Sequence, residues 1–246
     1  MKKSRTRKYL GMMPQVATTI LHGKYRHDVL ELLAKQHSAV GIELGVAEGI
    51  FSERIMNSQR FKIFYGVDAY ADMHDTAQYK RALKRVGIES NYRLLRMRFD
   101  EAYDLFEDNY FDFIYVDGYA HSGEDGGQTI FSWYKKLAVG GVIAGDDYHH
   151  DWPLVMWGVN ELAKQTGSVL HLTELVEPNI PYCQYPSWAI MKTASHDSFS
   201  CPATLIASGR RENARRLRKY RLSLIFEKPL KKFMRKLLRG AEGQPR

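Results

Sequence analysis

Short apolar runs alternate with amphipathic stretches along most of this chain. Seven of the runs have the pattern of buried strands and cover 39–46, 61–70, 92–99, 111–119, 141–148, 169–176 and 187–193. The stretches between them place apolar residues at helical spacing, as in 153–167, which begins at a proline and ends at a glycine. Strands and helices that alternate in this way build βαβ units. We therefore predict an α/β fold with a doubly wound, mostly parallel, seven-stranded sheet and helices on both faces.

The positive charge of the chain is concentrated at its two ends. The net charge is +8, yet residues 1–8 contain five Lys/Arg and no acid, and residues 210–246 contain fourteen Lys/Arg against three Glu. Residues 9–209 hold the remaining 17 Lys/Arg and 25 Asp/Glu, a net charge of −8. An acidic domain with basic ends suggests that the ends contact an anionic surface. We divide the chain into a basic N-terminal segment with a helix (1–37), a central α/β domain (38–208) and a basic amphipathic tail (209–246).

The cysteine content and the apolar runs favour a cytoplasmic protein. Two cysteines, Cys183 and Cys201, are too few for a disulfide framework and lack the spacing of metal ligands. The basic N-terminus is followed by apolar residues that Pro14, Gln15 and two threonines interrupt, so we do not predict a signal peptide. No apolar run reaches the ~18 residues that a membrane-spanning helix needs.

Acidic residues follow the predicted strands at what would be one edge of the sheet. They are Glu43, Asp68, Asp117 and the pair Asp146–Asp147, with Asp100 after the third strand. Ligands of open parallel sheets bind beyond the carboxyl ends of the strands. Clustered carboxylates are costly unless they bind hydroxyls, amines or a cation. Any single acid could instead cap the following helix, but the whole set indicates a polar ligand.

The first loop, in the segment IELGVAEG (42–49), departs from the dinucleotide fingerprint G-x-G-x-x-G. Gly45 and Gly49 stand four residues apart, and Glu43 and Glu48 flank the turn. These acids would repel a diphosphate and suit a cationic or amine-bearing ligand. Asp68 lies roughly 20 residues after the loop, where an acid can accept hydrogen bonds from ribose hydroxyls.

Five segments together resemble a known family. IELGVAEG and GVDAY resemble motifs I and II of class I S-adenosylmethionine-dependent methyltransferases, and FDFIYVDGYAH, WYKKLAVGGVIAGDDY and PSWAIMK continue the resemblance over about residues 38–193. The chain is similar in particular to the small O-methyltransferase branch that includes metal-dependent sugar- and catechol-type enzymes. The resemblance implies a Rossmann-like fold, S-adenosylmethionine as the cofactor, and methylation of a hydroxyl on a small polar acceptor such as a sugar or a glycan or glycolipid precursor.

The resemblance also implies roles for individual cofactor-binding residues. Glu43 and Gly45 would lie against the methionine part of the cofactor, and Gly49 would permit the close approach of a helix. Asp68 would hold the ribose, and Asp100 would contact the adenine, a role for which Arg98 and Phe99 compete.

A metal site and a catalytic base are implied in the same way. Asp117, Asp146 and Asp147 would hold Mg²⁺, with Asp117 shared between metal and cofactor. Such a cation could bind a vicinal diol and lower the pKa of the attacking hydroxyl. The first candidate for the base is His121, in a D-x-x-H pattern with Asp117; the alternatives are His149 and His150, and each can also be an ordinary loop histidine. Tyr119 stands where some metal-dependent relatives carry a catalytic acid.

The C-terminal tail predicts a basic amphipathic helix. After Pro229, apolar residues follow the i, i+3, i+4 rule with Lys and Arg around them. Such a helix can lie on an anionic membrane at the cytoplasmic face, pack on the domain or on a second subunit in a homo-oligomer, or contact nucleic acid.

Two other functions remain open on the sequence. The first is an RNA or other nucleic-acid methyltransferase that uses the basic ends for phosphate contacts. Base N-methylating enzymes usually carry Asn/Asp-Pro-Pro-aromatic after the fourth strand, where this chain has Asp117–Gly118–Tyr119, so we favour the small acceptor. The second is a non-catalytic or NAD-binding Rossmann-like protein.

Overall fold

The computed structural model describes residues 9–35, 37–71, 75–88, 91–117, 125–195 and 198–241, with side chains as far as residue 222. The described strands are β1 (Thr18–Leu21), β2 (Ala39–Leu44), β3 (Phe61–Val67), β4 (Tyr92–Leu95), β5 (Phe111–Val116), β6 (Leu137–Gly145), β7 (Leu170–Thr173) and β8 (Trp188–Met191). The described α-helices are α1 (Ile50–Asn57), α2 (Thr76–Ala82), α3 (Phe99–Tyr103), α4 (Gln128–Lys136), α5 (Pro153–Thr166) and α6 (Ala203–Ala241). A 3-10 helix covers Arg26–Leu32, and a π-helical turn, Leu83–Gly87, extends α2.

The described strands form one sheet in the order β1-β7-β8-β6-β5-β2-β3-β4. All neighbours are parallel except β8, which runs antiparallel to β6 and to β7. The predicted fold class is confirmed. Because the chain moves from β2 out to β3 and β4 and then returns to place β5 on the other side of β2, the strand order switches between β2 and β5. Ligands of such sheets bind at this switch.

The sheet has one more strand than the sequence pattern predicts. Strand β1 pairs in parallel with β7 at the edge, from Thr18 opposite Leu170 to Leu21 opposite Thr173. Its four residues, TTIL, are mostly exposed and therefore lack the continuous apolar run that marks the inner strands. Helix α4 ends at Lys136, and the chain continues directly as β6 from Leu137.

The central strands lie between two apolar layers. Every residue of β2 is buried, and residues that alternate along it belong to different clusters, as expected for a sheet covered on both faces. Ile42 and Leu44 pack with Trp133 of α4 and Val159 of α5. On the other face, Ala39 packs with side chains of the 3-10 helix and of α1. The helix predicted within the N-terminal segment 1–37 is thus present as a short 3-10 helix and covers one face of the sheet.

Helix α6 begins on the domain and continues the chain to Ala241. Its first turn packs closely on the loop before α4: a Cβ added to Gly126 would lie 2.6 Å from the Cα of Ile206. Leu205 is buried, and the Tyr9 hydroxyl donates to Glu212 Oε1 at 2.9 Å. The predicted boundary at 208/209 falls inside this helix, and the division into three segments stays a prediction. Within the described part of the chain, no helix is both long and apolar enough to cross a membrane.

Candidate active site

A cavity of about 960 Å³ lies at the carboxyl ends of β2, β3, β4 and β5. Residues 45–48, 68–69, 98–100 and 117 line it at the ends of these strands. Residues from more distant parts of the chain complete it, namely Arg26, Arg54, Trp152, Pro181, Tyr182, Cys183 and Arg216. The cavity therefore joins the sheet edge that the sequence predicts to segments for which it predicts no role.

The loop between β2 and α1 turns through left-handed backbone conformations. Gly45 has a φ of 103°, Ala47 of 48° and Gly49 of 77°. The Gly45 amide donates to Val67 O at 2.8 Å and ties the loop to β3. A Cβ on Gly49 would lie 3.2 Å from the Cα of Ala82 in α2, so glycine is required there for both its conformation and its space. The predicted close approach of a helix at Gly49 is found, and α2 is that helix.

Asp68 fixes this loop while it lines the cavity. Its Oδ2 accepts the Val46 amide at 3.1 Å and the Ala47 amide at 3.0 Å, and its Oδ1 accepts the Tyr70 amide at 3.0 Å. Asp68 therefore couples the shape of the loop to the place where a ribose is expected.

Glu43 is buried at the end of β2 and faces the cavity, with 1% of its surface exposed. The Ser52 hydroxyl donates to its Oε2, and Ser52 in turn contacts the Tyr92 hydroxyl at 2.9 Å. Burial raises the pKa of Glu43 to about 8, although the Ser52 hydrogen bond opposes this. A positively charged ligand beside Glu43 would favour its ionised form.

Asp100 occupies the outer rim of the cavity. Its side chain is 65% exposed and is paired with Arg98, whose hydrogen bond lowers the pKa of Asp100. Phe99, Tyr103 and Trp133 supply aromatic surface to the same end of the cavity. Arg98 and Phe99 thus lie beside Asp100, as the competing assignments for an adenine contact require.

Arg26 is the residue of the site that the sequence reasoning missed. It is 5% exposed, and its guanidinium donates to Asp117 Oδ2 and to Tyr182 O, the latter at 2.6 Å. The same group lies 3.3 Å from Asp146 Oδ2. Its central carbon lies 4.6 Å from the ring centroid of Phe51, within cation–π range. Arg26 therefore connects the ends of β5 and β6 with the loop between β7 and β8.

The acids predicted to hold Mg²⁺ do not fit that role in their observed arrangement. Among the described residues, no group of three or more His, Cys, Asp or Glu side chains is placed to hold a metal ion. Asp117 and Asp146 both face Arg26, and Asp146 Oδ1 also accepts the Ser187 hydroxyl at 3.0 Å. Neither Asp146 nor Asp147 is among the cavity residues, and burial raises the pKa of Asp146 to about 7. A guanidinium, rather than a divalent ion, provides the positive charge here.

The two histidine candidates that the structure describes do not line the cavity. His121 lies outside the described residues. His149 stacks on Tyr185 with ring centroids 4.6 Å apart, and its Nδ1 accepts the Asp151 amide at 3.2 Å. His150 is exposed, 5.8 Å from the His149 ring, and neither of the two lines the cavity. The positive φ of Asp147, 61°, turns the chain away from the strand end before it reaches them.

A second arginine also fixes the loop between β7 and β8. Arg54 of α1 makes a two-point ion pair with Glu177, with Nη2 2.9 Å from Oε1. Arg54, Tyr182 and Cys183 all line the cavity. In the sequence, the 3-10 helix and α1 each carry a single arginine, Arg26 and Arg54 respectively, and a single arginine does not identify its partner.

Comparison with known proteins agrees with this geometry. Residues 42–148 match the family described as "Methyltransferase domain". The fold is similar to that of cofactor-bound Rv0187 from MTB (11% identity, TM-score 0.54, 79% of this chain and 90% of that chain). It is also similar to that of a putative O-methyltransferase from Klebsiella pneumoniae (14% identity, TM-score 0.52, 78% and 90%). Spermidine synthase from Thermotoga maritima has the fold too (14% identity, TM-score 0.53, 68% and 59%). No curated protein sequence matches significantly.

The family match covers β2 through the residues just after β6, and hence the glycine loop, Asp68 and Asp117. Spermidine synthase shares the fold, so the fold alone does not determine the reaction. Over residues 42–148 the chain matches a methyltransferase domain, and this match, together with the acid-flanked loop, supports S-adenosylmethionine-dependent methyl transfer.

Proposed function

We propose that this methyltransferase transfers the methyl group of S-adenosylmethionine to a hydroxyl oxygen of a small polar acceptor, with a sugar or a glycan or glycolipid precursor as the favoured class. The observation that carries the proposal is the cavity itself. Its volume of about 960 Å³ lies at the upper end of the ~300–1,000 Å³ typical of small-molecule sites. This leaves room for an acceptor beside the cofactor.

The residues at the strand ends suit the cofactor. Asp68 and Phe99 both line the cavity, and in this proposal Asp68 binds the ribose and the aromatic surface near Phe99 binds the adenine. Glu43, buried and flanking the glycine loop, suits the positively charged sulfonium and amino group. When bound, S-adenosylmethionine supplies a methyl group activated by that sulfonium, and the protein's task is to align the acceptor oxygen with it.

The part of the cavity that we assign to the acceptor is lined by the polar groups of Arg54, Tyr182 and Cys183. The indole of Trp152 also lines the cavity and supplies an apolar surface. Sugars are commonly bound by this combination, since their ring faces are apolar and their rims carry hydroxyls. In this proposal the hydroxyl proton passes to His121, four residues after Asp117, which stays a prediction.

Methyl transfer to a panel of acceptors tests the proposal. Purified protein and tritium-labelled S-adenosylmethionine are incubated with nucleoside-diphosphate sugars, polyprenyl-linked sugars, catechols and total RNA. We expect labelled sugar-containing product, and its loss with Asp68→Ala. Label in catechol alone would retain O-methylation but remove the sugar class. Label in RNA alone would support the nucleic-acid alternative, as would binding of RNA through its phosphates.

We further propose that α6 contacts anionic lipid at the cytoplasmic face of the membrane. Its described side chains include exposed apolar groups and many cations: Leu217, Tyr220, Leu222, Arg210, Arg211, Arg215, Arg216, Arg218, Lys219 and Arg221. Each cation near an anionic surface contributes about 1 kcal/mol. Sedimentation with phosphatidylserine vesicles but not with phosphatidylcholine vesicles is the expected result. Equal recovery in both, or self-association without lipid, would instead assign the helix to another partner or to a homo-oligomer.

A further inference from the structure

We propose that Arg26 takes the place of a divalent cation, so that its guanidinium binds and orients Asp117 at the acceptor end of the cavity and methyl transfer requires no metal. The inference rests on the proposed function in one respect, namely that Asp117 faces the acceptor. The inference that Arg26 replaces a divalent cation rests on contacts among the described residues.

The first argument is charge. Asp117 and Asp146 end neighbouring strands, and both direct a carboxylate oxygen at Arg26. Two neighbouring carboxylates repel each other unless a cation lies between them. Arg26 supplies this cation from within the chain, so no ion has to be recruited from solvent.

The second argument is the rigidity of the guanidinium. Its Nη1 donates to Tyr182 O at 2.6 Å and lies 3.4 Å from Cys183 Sγ. The ring centroids of Phe51 and Tyr115 lie 4.6 and 5.1 Å from its central carbon. A planar group with contacts on its edges and faces has a defined orientation. A hydrated Mg²⁺ would need six oxygen ligands and would displace these contacts.

The third argument is position. Asp117 and Arg26 both line the cavity, whereas Asp146 lies behind them and is bound to Ser187. Asp117 therefore presents to the acceptor the carboxylate that Arg26 fixes. Arg26 is a positioning residue, since it acts on the acceptor through Asp117 and through the loop at Tyr182.

Binding of Mn²⁺ to the full-length protein tests the substitution without an acceptor. We expect no Mn²⁺ bound by the wild type in calorimetry or electron paramagnetic resonance. Arg26→Ala leaves the carboxylates without their cation, so this variant should bind Mn²⁺ and regain thermal stability when Mn²⁺ is added. Arg54→Ala is the matched control, because it removes another cavity arginine whose partner is Glu177, and it should gain no Mn²⁺ site. Arg26→Ala/Asp117→Asn should lose the acquired site.

Binding of Mn²⁺ by the wild type that Asp117→Asn abolishes would overturn the proposal. So would folded Arg26→Ala that binds no Mn²⁺. If Arg26→Ala folds only with Mn²⁺ present, that requirement is itself the expected gain. Once an acceptor is known, wild-type turnover should be unchanged by EDTA, and Arg26→Lys should keep more of the kcat than Arg26→Ala, which we expect to lose on the order of 10²-fold. If no acceptor is methylated, the proposed function fails, and the Mn²⁺ result still tests the role of Arg26.

Discussion

The two ends of the cavity are built from different kinds of sequence. The end assigned to the cofactor comes from consecutive strand ends between Glu43 and Asp100, all inside the family match. The acceptor end combines Arg54 and Asp117, which lie inside that match, with Arg26, Tyr182 and Arg216, which lie outside it. The comparison teaches that topology alone assembles the first end, whereas tertiary packing assembles the second. Mutations at the two ends should therefore separate cofactor binding from the remaining properties of the site.

Asp68→Ala should have the largest effect on the cofactor end. It removes the acceptor of the Val46, Ala47 and Tyr70 amides and the expected ribose contact together. We expect the affinity for S-adenosylhomocysteine to fall by about 10²-fold or more, since three buried amides of the site lose their partner at ~1–3 kcal/mol each. Calorimetry measures this. Asp100→Ala is the control, because the Asp100 side chain is exposed and pairs with Arg98. The free energy of unfolding of this variant should stay within about ±0.5 kcal/mol of the wild type.

Glu43 should make stability fall as the pH rises. Its pKa is about 8 in the folded protein and near 4.5 when unfolded, so between these values the native state binds more protons than the unfolded state. Stability is then greatest at the acidic end of this window and declines towards pH 8, by at most about 1.4 kcal/mol per pH unit. Urea unfolding at pH 5 to 8.5 measures the slope.

Glu43→Gln should flatten this slope and keep the contact with Ser52. The remaining decline comes from Asp146, whose pKa is raised in the same direction to about 7. An unchanged slope in the variant would show that Glu43 is ionised throughout the range, contrary to its burial.

Gly49→Ala should destabilise the cofactor end by about 1–2 kcal/mol. A left-handed alanine costs about this much, and its Cβ would meet the backbone of Ala82 at 3.2 Å. Thermal unfolding measures the loss. Gly140→Ala is the matched control: it also has a positive φ, 84°, but nothing lies within 4 Å of an added Cβ. Equal losses in the two variants would show that conformation alone, and not the approach of α2, requires glycine at 49.

Arg54→Ala should have the smallest effect on cofactor binding. The variant breaks the ion pair with Glu177 and loosens the loop between β7 and β8. We expect faster amide hydrogen exchange in residues 174–187 and an affinity for S-adenosylhomocysteine within about twofold of wild type, since the pair is partly exposed. A large loss of cofactor affinity would contradict the division of the cavity into two ends.

The cofactor end could be predicted from the sequence because parallel strands end at one edge. The strand pattern was enough to predict that Asp68 lies at this edge, where it lines the cavity. Arg26 could not be placed in this way, since 91 residues separate it from Asp117 and it resembles any cation of an amphipathic helix. The excess of acids at the sheet edge was a sign that a cation is needed there. It did not indicate whether the cation would be a metal or a side chain.

A crystal structure with S-adenosylhomocysteine and MnCl₂ tests the account most directly. We predict that the ligand contacts the Gly45–Gly49 loop and Asp68, that the space beside Arg54 and Cys183 stays open for the acceptor, and that no Mn²⁺ lies between Asp117 and Asp146. A ligand seated at the Arg54 and Cys183 end, or Mn²⁺ in the position of the Arg26 guanidinium, would contradict it.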